Sequence, residues 1–256
     1  MSASSVTAAG TMMGGRKLTA KQRLGVWLFP RMPVTRFLFE QLRTEMNCAR
    51  VRLQNSLLPS RVRVLRQIRQ MREIHANIAC GPRPLGGFLN LDLHHLAPDV
   101  IRWDCRWDLP FADGSVAGAR VEHFVEHLEA REELPAFLKA CWRVLKPGGV
   151  LRVIVPDAER YLQAYCRSDL SGFRELAVPV PFPADLPTRM DVVNHVFHQF
   201  HEHRWGYDFE TLAHRLHACG FGGVERTGYQ LSLDPLLAQD CENHAPYSLY
   251  VDAIKP

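Results

Sequence analysis

The spacing of apolar residues changes near position 75. Before it, Phe37, Leu38, Leu42 and Met46 lie near helical spacing, and Val62, Leu65, Ile68 and Arg69 resume the pattern after Pro59. A helical stretch is therefore expected from about Leu18 to Met71. Beyond it come short runs typical of strands: HANIAC (75–80), closed by Gly81-Pro82, FLNLDL (88–93), carrying Asp92 near its end, and VIRWDC (100–105). A fourth strand is expected over Val116–Glu122, although Ala117, Gly118 and Ala119 have poor strand propensity. Leu134, Phe137, Leu138, Cys141 and Leu145 form one stripe, predicting a helix from Glu132 to Leu145 that Lys146-Pro147-Gly148-Gly149 stops. VLRVIV (150–155) then reads as a buried central strand ending at Pro156-Asp157.

An irregular region over 158–205 is expected to form a lid or substrate insertion. Asp208 reads as the N-cap of a helix with Leu212, Leu216 and Cys219 inward and Gly220 at its end. Val224–Gln230 and Tyr247–Ile254 supply two closing strands. Strands alternating with helices in this rhythm predict an α/β domain around a mostly parallel sheet. The expected divisions are a disordered tail (1–15), a basic helical extension (16–72) and one main domain (73–256).

Charge sharpens that division. Residues 1–75 hold 14 Lys and Arg against three acids, a surplus of +11, while the rest hold 17 bases against 24 acids, or −7. With Trp27, Leu28, Phe29, Phe37 and Phe39 near Arg31 and Arg36, residues 16–72 suit an anionic membrane surface. No recognised nucleic-acid motif accompanies the charge, so nucleic acid is not expected as a partner. There is no signal-peptide pattern and no apolar run of membrane-spanning length, so a cytoplasmic protein, with peripheral contact at the inner membrane face, is expected. The seven cysteines form an odd set without CxxC spacing, which excludes a disulfide framework or a zinc ribbon.

In open α/β sheets a nucleotide-like ligand sits beyond the carboxyl ends of the strands, where strand order reverses. Gly81 after the first strand permits close backbone approach, Asp92 after the second can accept from ribose hydroxyls, and Asp104 after the third can face a purine amine. His123, His127 and Asp157 lie near the ends of the fourth and fifth strands, and His123 paired with Asp157 is the expected base. His195, His198, His201 and His203 invite a metal reading. A substrate-facing lid with His203 and Asn194 is preferred there, and no metal site is expected.

HANIACGPRPLGGFLNLDL (75–93), WDCRWDLPFADGSV (103–116), VEHFVEHLE (121–129) and RVLKPGGVLRVIVPD (143–157) resemble, in order, the motifs of class I methyltransferases of the type 11 group, especially those of bacterial polysaccharide and small-molecule pathways. HEHRWGYDFETLAHRLHACGF (201–221) is also typical of them. The resemblance implies a doubly wound, mostly parallel seven-stranded sheet of the Rossmann-like methyltransferase kind behind the N-terminal helical extension. It implies S-adenosyl-L-methionine as cofactor, with Ala79, Cys80 and Gly81 along its methionine and ribose, Asp92 on the ribose, Asp104 and Cys105 at the adenine, and Glu122 and His123 beside the sulfonium. The acceptor it implies is an oxygen or nitrogen of a sugar, lipid-linked glycan or small metabolite.

The chain departs from the pattern where Asn77, Ala79 and Arg83 occupy the glycine-rich loop. About eight residues separate Gly81 from the second strand, too few for an ordinary crossover helix. Ala117 stands where relatives often carry an acid. A non-catalytic binding protein that keeps the fold is therefore the alternative reading. A nicotinamide oxidoreductase is disfavoured, because no G-x-G-x-x-G follows the first strand.

Overall fold

The computed structural model describes residues 12–13, 16–17, 33, 35–94, 97–167, 171–176 and 188–256. Most of the expected tail, the start of the expected helix from Leu18, and the cluster Trp27, Leu28, Phe29 and Arg31 lie outside the described residues. Met12–Met13 pairs antiparallel with Arg16–Lys17. Two helices follow, α1 (Arg36–Leu57) and α2 (Pro59–Gln70). Thr35 caps α1 by accepting from Leu38 N–H, and Pro59 opens α2 at a position where its missing N–H costs nothing.

Seven strands form one sheet: β1 (Ile74–Ile78), β2 (Leu89–Asp92), β3 (Val100–Arg102), β4 (Val116–Glu122), β5 (Leu145–Pro156), β6 (Gly222–Arg226) and β7 (Ser248–Ile254). Their order is β3-β2-β1-β4-β5-β7-β6. β1 to β5 pair in parallel, and β7 runs antiparallel to both neighbours. The chain starts in the middle with β1, winds outward to β3, then returns to β4 on β1's other side. The crevice at which a ligand is expected therefore opens between the ends of β1 and β4.

The weak strand β4 forms because small residues are needed there. A Cβ on Gly118 would lie 2.5 Å from Asp234 Oδ2, within the His75–Asp234 pair that covers the strand. Its neighbours α3 (Glu133–Val144) and β5 are joined without a loop. Leu134, Phe137, Leu138, Cys141 and Leu145 are all buried, as their spacing predicts. Arg143 at the end of α3 donates to Phe111 O, Leu109 O, Asp108 and Asp113. One side chain thus staples the LKPGG and DLPFADG stretches together.

Three expectations change. The stripe Phe37, Leu38, Leu42 and Met46 is exposed. α1 instead docks through Glu45, Cys48, Val51, Arg52 and Asn55, largely by polar contacts: Asn55 donates to Arg102 O, Arg52 to Asp104 and Arg106 to Glu45. Apolar spacing on a helix that docks by hydrogen bonds does not report its inward face. The region 158–205 is largely helical where described, with α4 (Ala158–Tyr165), α5 (Ser171–Glu175) and α6 (Arg189–His198). Asp157 caps α4 and a Thr188/Asp191 capping box starts α6, so caps define helices too short to show periodicity. Finally, the run HANIAC stops being strand after Ile78, because Ala79 turns left-handed at φ 52°. Asp208 caps α7 (Phe209–Ala218) by accepting from Thr211 N–H, with Leu212 and Leu216 buried as expected. Among the described residues no helix is long and apolar enough to cross a membrane.

Arg152, wholly buried in β5, holds the C-terminal segment to the sheet by donating to Asp240, Asp252, Thr227 and the carbonyls of Gly228 and Leu231. Arg152→Met leaves two buried carboxylates without their cation, and urea denaturation should show a loss of about 3–5 kcal/mol. A loss under about 1 kcal/mol would mean that water reaches this knot.

Candidate functional site

The crossover from β1 to β2 has no helix. Buried Asn90 takes its place, accepting from Leu85 N–H and from Asn77 Nδ2 while donating to the carbonyls of Leu85 and Phe88. Asn77 also donates to Arg83 O. The two amides satisfy loop groups that a helix would have satisfied internally. This short loop brings Gly81, at φ 52°, beside Asp92, whose Oδ2 accepts from Gly81 N–H at 2.9 Å. Asp92 Oδ1 accepts from His94 N–H at 2.7 Å.

A cavity of about 580 Å³ opens at this edge, lined by Ala79, Asp92, Cys105, Phe124 and His127 and roofed by α1. A carboxylate at the cavity wall is a group that can accept from hydroxyl donors, and Phe124, Trp103 and Leu128 give the mixed lining an apolar part. Asp104 borders the cavity but is committed to arginine: Arg52 reaches it at 2.5 Å and Arg106 bonds it through two nitrogens. Burial raises its carboxyl, and the Arg106 and Arg52 contacts more than offset this, leaving it below the usual range. Its place is a clamp between α1 and the sheet edge. Cys105 is buried on the cavity wall. Cys80 is half-buried, and burial pushes its thiol up to about 12, so it stays a neutral packing group.

Glu122 ends β4 away from the cavity lining. It accepts from Arg120, from Cys241 N–H and at 2.9 Å from His244. Burial raises its carboxyl, but the His244 hydrogen bond and the Arg120 charge overcome this and hold it at about 2. His123 follows in a left-handed conformation, φ 53°, which a non-glycine residue keeps only when its surroundings impose it. Its Nε2 lies 2.9 Å from Ser248 Oγ, its Nδ1 3.3 Å from Glu126 Oε1, and its ring 4.1 Å from that of His244.

Asp157, the expected partner of His123, is occupied elsewhere. It caps α4 and accepts from Arg226 at 2.7 Å. Glu126 holds the corresponding place beside the imidazole, in a 3₁₀ turn over Val125–His127. Sequence reading missed it because VEHLE resembles the start of a helix. The signal was present in the acid three residues after His123.

The structure therefore brings Ala79, Gly81, Asp92, Asp104 and Cys105 together, and sets Glu122 and His123 in an adjoining polar cluster. Residues 89–153 match the family model of a methyltransferase domain. The enzyme class is S-adenosylmethionine-dependent methyltransferase. S-adenosylmethionine is the cofactor. No curated protein matches the chain. Among solved structures it is similar to a SAM-dependent methyltransferase from Archaeoglobus fulgidus (19% identity, 86% of this chain, 99% of that one, TM-score 0.40). It is also similar to a possible histamine N-methyltransferase from Thermotoga maritima (16%, 86% and 97%, TM-score 0.44). A third likeness is to a methyltransferase from Mesorhizobium loti (16%, 75% and 96%, TM-score 0.42).

Because Glu122 falls from its ordinary value near 4.5 to about 2 on folding, it contributes stability that is complete above pH 4.5. That contribution, roughly 3 kcal/mol, is lost as pH falls toward 2. Acid denaturation of Glu122→Gln should be correspondingly flatter over this range, and an unchanged slope would remove Glu122 from the balance.

Proposed function

We propose that this methyltransferase moves a methyl group to an oxygen or nitrogen of a sugar, lipid-linked glycan or other small metabolite, with His123 taking the acceptor's proton. The observation that supports this most is the Ser248–His123–Glu126 alignment at the end of β4. Burial raises the Glu126 carboxyl, but the imidazole of His123 facing it more than offsets this; the carboxylate lies 3.3 Å from Nδ1 and favours the tautomer protonated there. Nε2 then keeps a lone pair, which Ser248 holds until an acceptor replaces it. A hydroxyl or ammonium acceptor needs such a base. The remaining acceleration comes from holding acceptor and methyl carbon in line.

S-adenosylmethionine supplies the electrophilic methyl carbon on its sulfonium. In this reading Asp92 accepts from the ribose hydroxyls, Ala79, Cys80 and Gly81 run along the ribose and methionine, and Cys105 with Phe124 packs the adenine side. Asp104 acts through Arg106 by holding α1 over the cavity, and Glu122 acts through His244, whose tilted ring packs against His123. Asp157 serves as the cap that fixes the end of β5.

The basic extension supports contact with an anionic membrane face. α1 and α2 expose Leu53, Leu57, Val64 and Met71 among Arg50, Arg63, Arg66 and Arg69. Long arginine stems beside apolar residues suit the headgroup boundary. Such a surface would bring the enzyme to a lipid-linked acceptor.

Asp92→Ala should weaken S-adenosylhomocysteine binding about ten- to a hundredfold by calorimetry, the value of losing a charged hydrogen-bond acceptor. An unchanged affinity would move the ribose elsewhere. His123→Ala should bind the same ligand normally and lose about 10²- to 10⁴-fold in turnover across a panel of sugar and lipid acceptors. Full turnover in that variant would remove His123 from the base role.

A further inference from the structure

Beside the proposed base lies a second group of donors that methyl transfer alone does not require. Glu126 is 1% exposed, and neither carboxylate oxygen has a hydrogen-bond partner among the described residues. The nearest imidazole, His123, stands 3.3 Å from one oxygen. A buried carboxylate left in this condition carries a large desolvation cost unless something compensates it.

His127 and His203 flank the same carboxylate, and one donor atom from each of the three residues lies within 4.8 Å of the others. The two rings meet edge to face at 4.8 Å between centroids. Both have their second nitrogen already assigned. His127 Nδ1 lies 3.0 Å from Glu202 O, and His203 Nδ1 lies 2.6 Å from Val196 O. A backbone carbonyl only accepts, so each Nδ1 carries a proton, and in the neutral ring the Nε2 lone pair is the one that faces a ligand. That is the arrangement by which outer hydrogen bonds orient metal-binding histidines.

We propose that Glu126, His127 and His203 bind one divalent transition-metal ion of the zinc class. Two neutral imidazoles and one carboxylate suit such an ion better than magnesium or calcium, which favour oxygen ligands. Tetrahedral coordination with bonds near 2.0–2.1 Å needs donors about 3.3 Å apart, so the side chains would draw together on binding. Three protein ligands leave a position for water or an acceptor oxygen, as catalytic rather than structural sites do. His127 lines the large cavity, so that position adjoins the cofactor seat. Of the four histidines between 195 and 203, this set uses His203 alone. Glu126 has one oxygen for His123 and another for the ion. The inference therefore does not depend on which acceptor is methylated or on His123 acting as base.

The test uses the full chain stripped of metal by a chelator, then titrated with zinc chloride by calorimetry and with cobalt chloride by visible absorption. One ion per chain is expected, with thermal stability raised by zinc. His127→Ala, at a partly exposed position, and Glu126→Gln should each weaken binding more than about tenfold, since even outer-shell partners of ligands are worth that much. His123→Ala should keep the ion. Cys241→Ser should also keep it, which excludes the nearby Glu122, Cys241 and His244 group. Circular dichroism before metal addition confirms that each variant is folded. The proposal is overturned if no saturable binding occurs, if binding survives both His127→Ala and Glu126→Gln, or if it is lost in Cys241→Ser.

Discussion

The site rests on a crossover too short for a helix. Parallel neighbours ordinarily need a dozen or more residues between them, usually including a helix. Here the ten residues 79–88 make the return from β1 to β2, and the buried Asn77–Asn90 pair takes up their polar groups. The consequence is local and chemical. A tight return sets Gly81 N–H directly on the Asp92 carboxylate, fixing that acid at the mouth of the cavity. Replacing either amide by an apolar residue would leave loop N–H and C=O groups buried without partners, each worth about 1–3 kcal/mol.

The same reliance on polar fixation recurs around the sheet. Asp104 and Arg106 hold α1, Arg143 joins two loops, and Arg152 anchors the last quarter of the fold from within the central strand β5. Hydrophobic burial builds the layers, but it does not choose their relative positions at the rim. Directional bonds do so here. This explains why a chain with many arginines can place several in or near its core, each beside acids that come from distant segments.

Those long-range partners mark the limit of what the sequence discloses. Seven strands, the helix from Glu133 and the cap at Asp208 were legible because spacing and turn chemistry act locally. The helical character of α1 was legible too, but its inward face was not, since Arg52 and Asn55 meet residues about 50 positions away. The position of Asp92 at a strand end could be read from the run it closes. Asp104 has the same signature, yet two arginines claim it, and neither pairing has a periodic trace. Glu126 was hidden by a local ambiguity: a 3₁₀ turn and the first turn of a helix look alike in VEHLE, but they aim the acid differently.

The tract 122–127 contains two Glu-His steps, and folding pairs them across rather than within each step. Glu122 accepts from His244, whereas His123 turns toward Glu126. The strand ends at Glu122, and His123 leaves it in a left-handed conformation, so the two side chains reach His244 in different ways, one by a hydrogen bond and one by ring contact. The left-handed turn at His123 then directs its ring back over His244 and toward Ser248. His123, His127, His203 and His244 thus gather around partly buried Glu122 and buried Glu126, and His127 lines the cavity. Its members come from β4, the 3₁₀ turn, the segment after α6 and the stretch into β7, so only the folded chain brings these ionisable groups together.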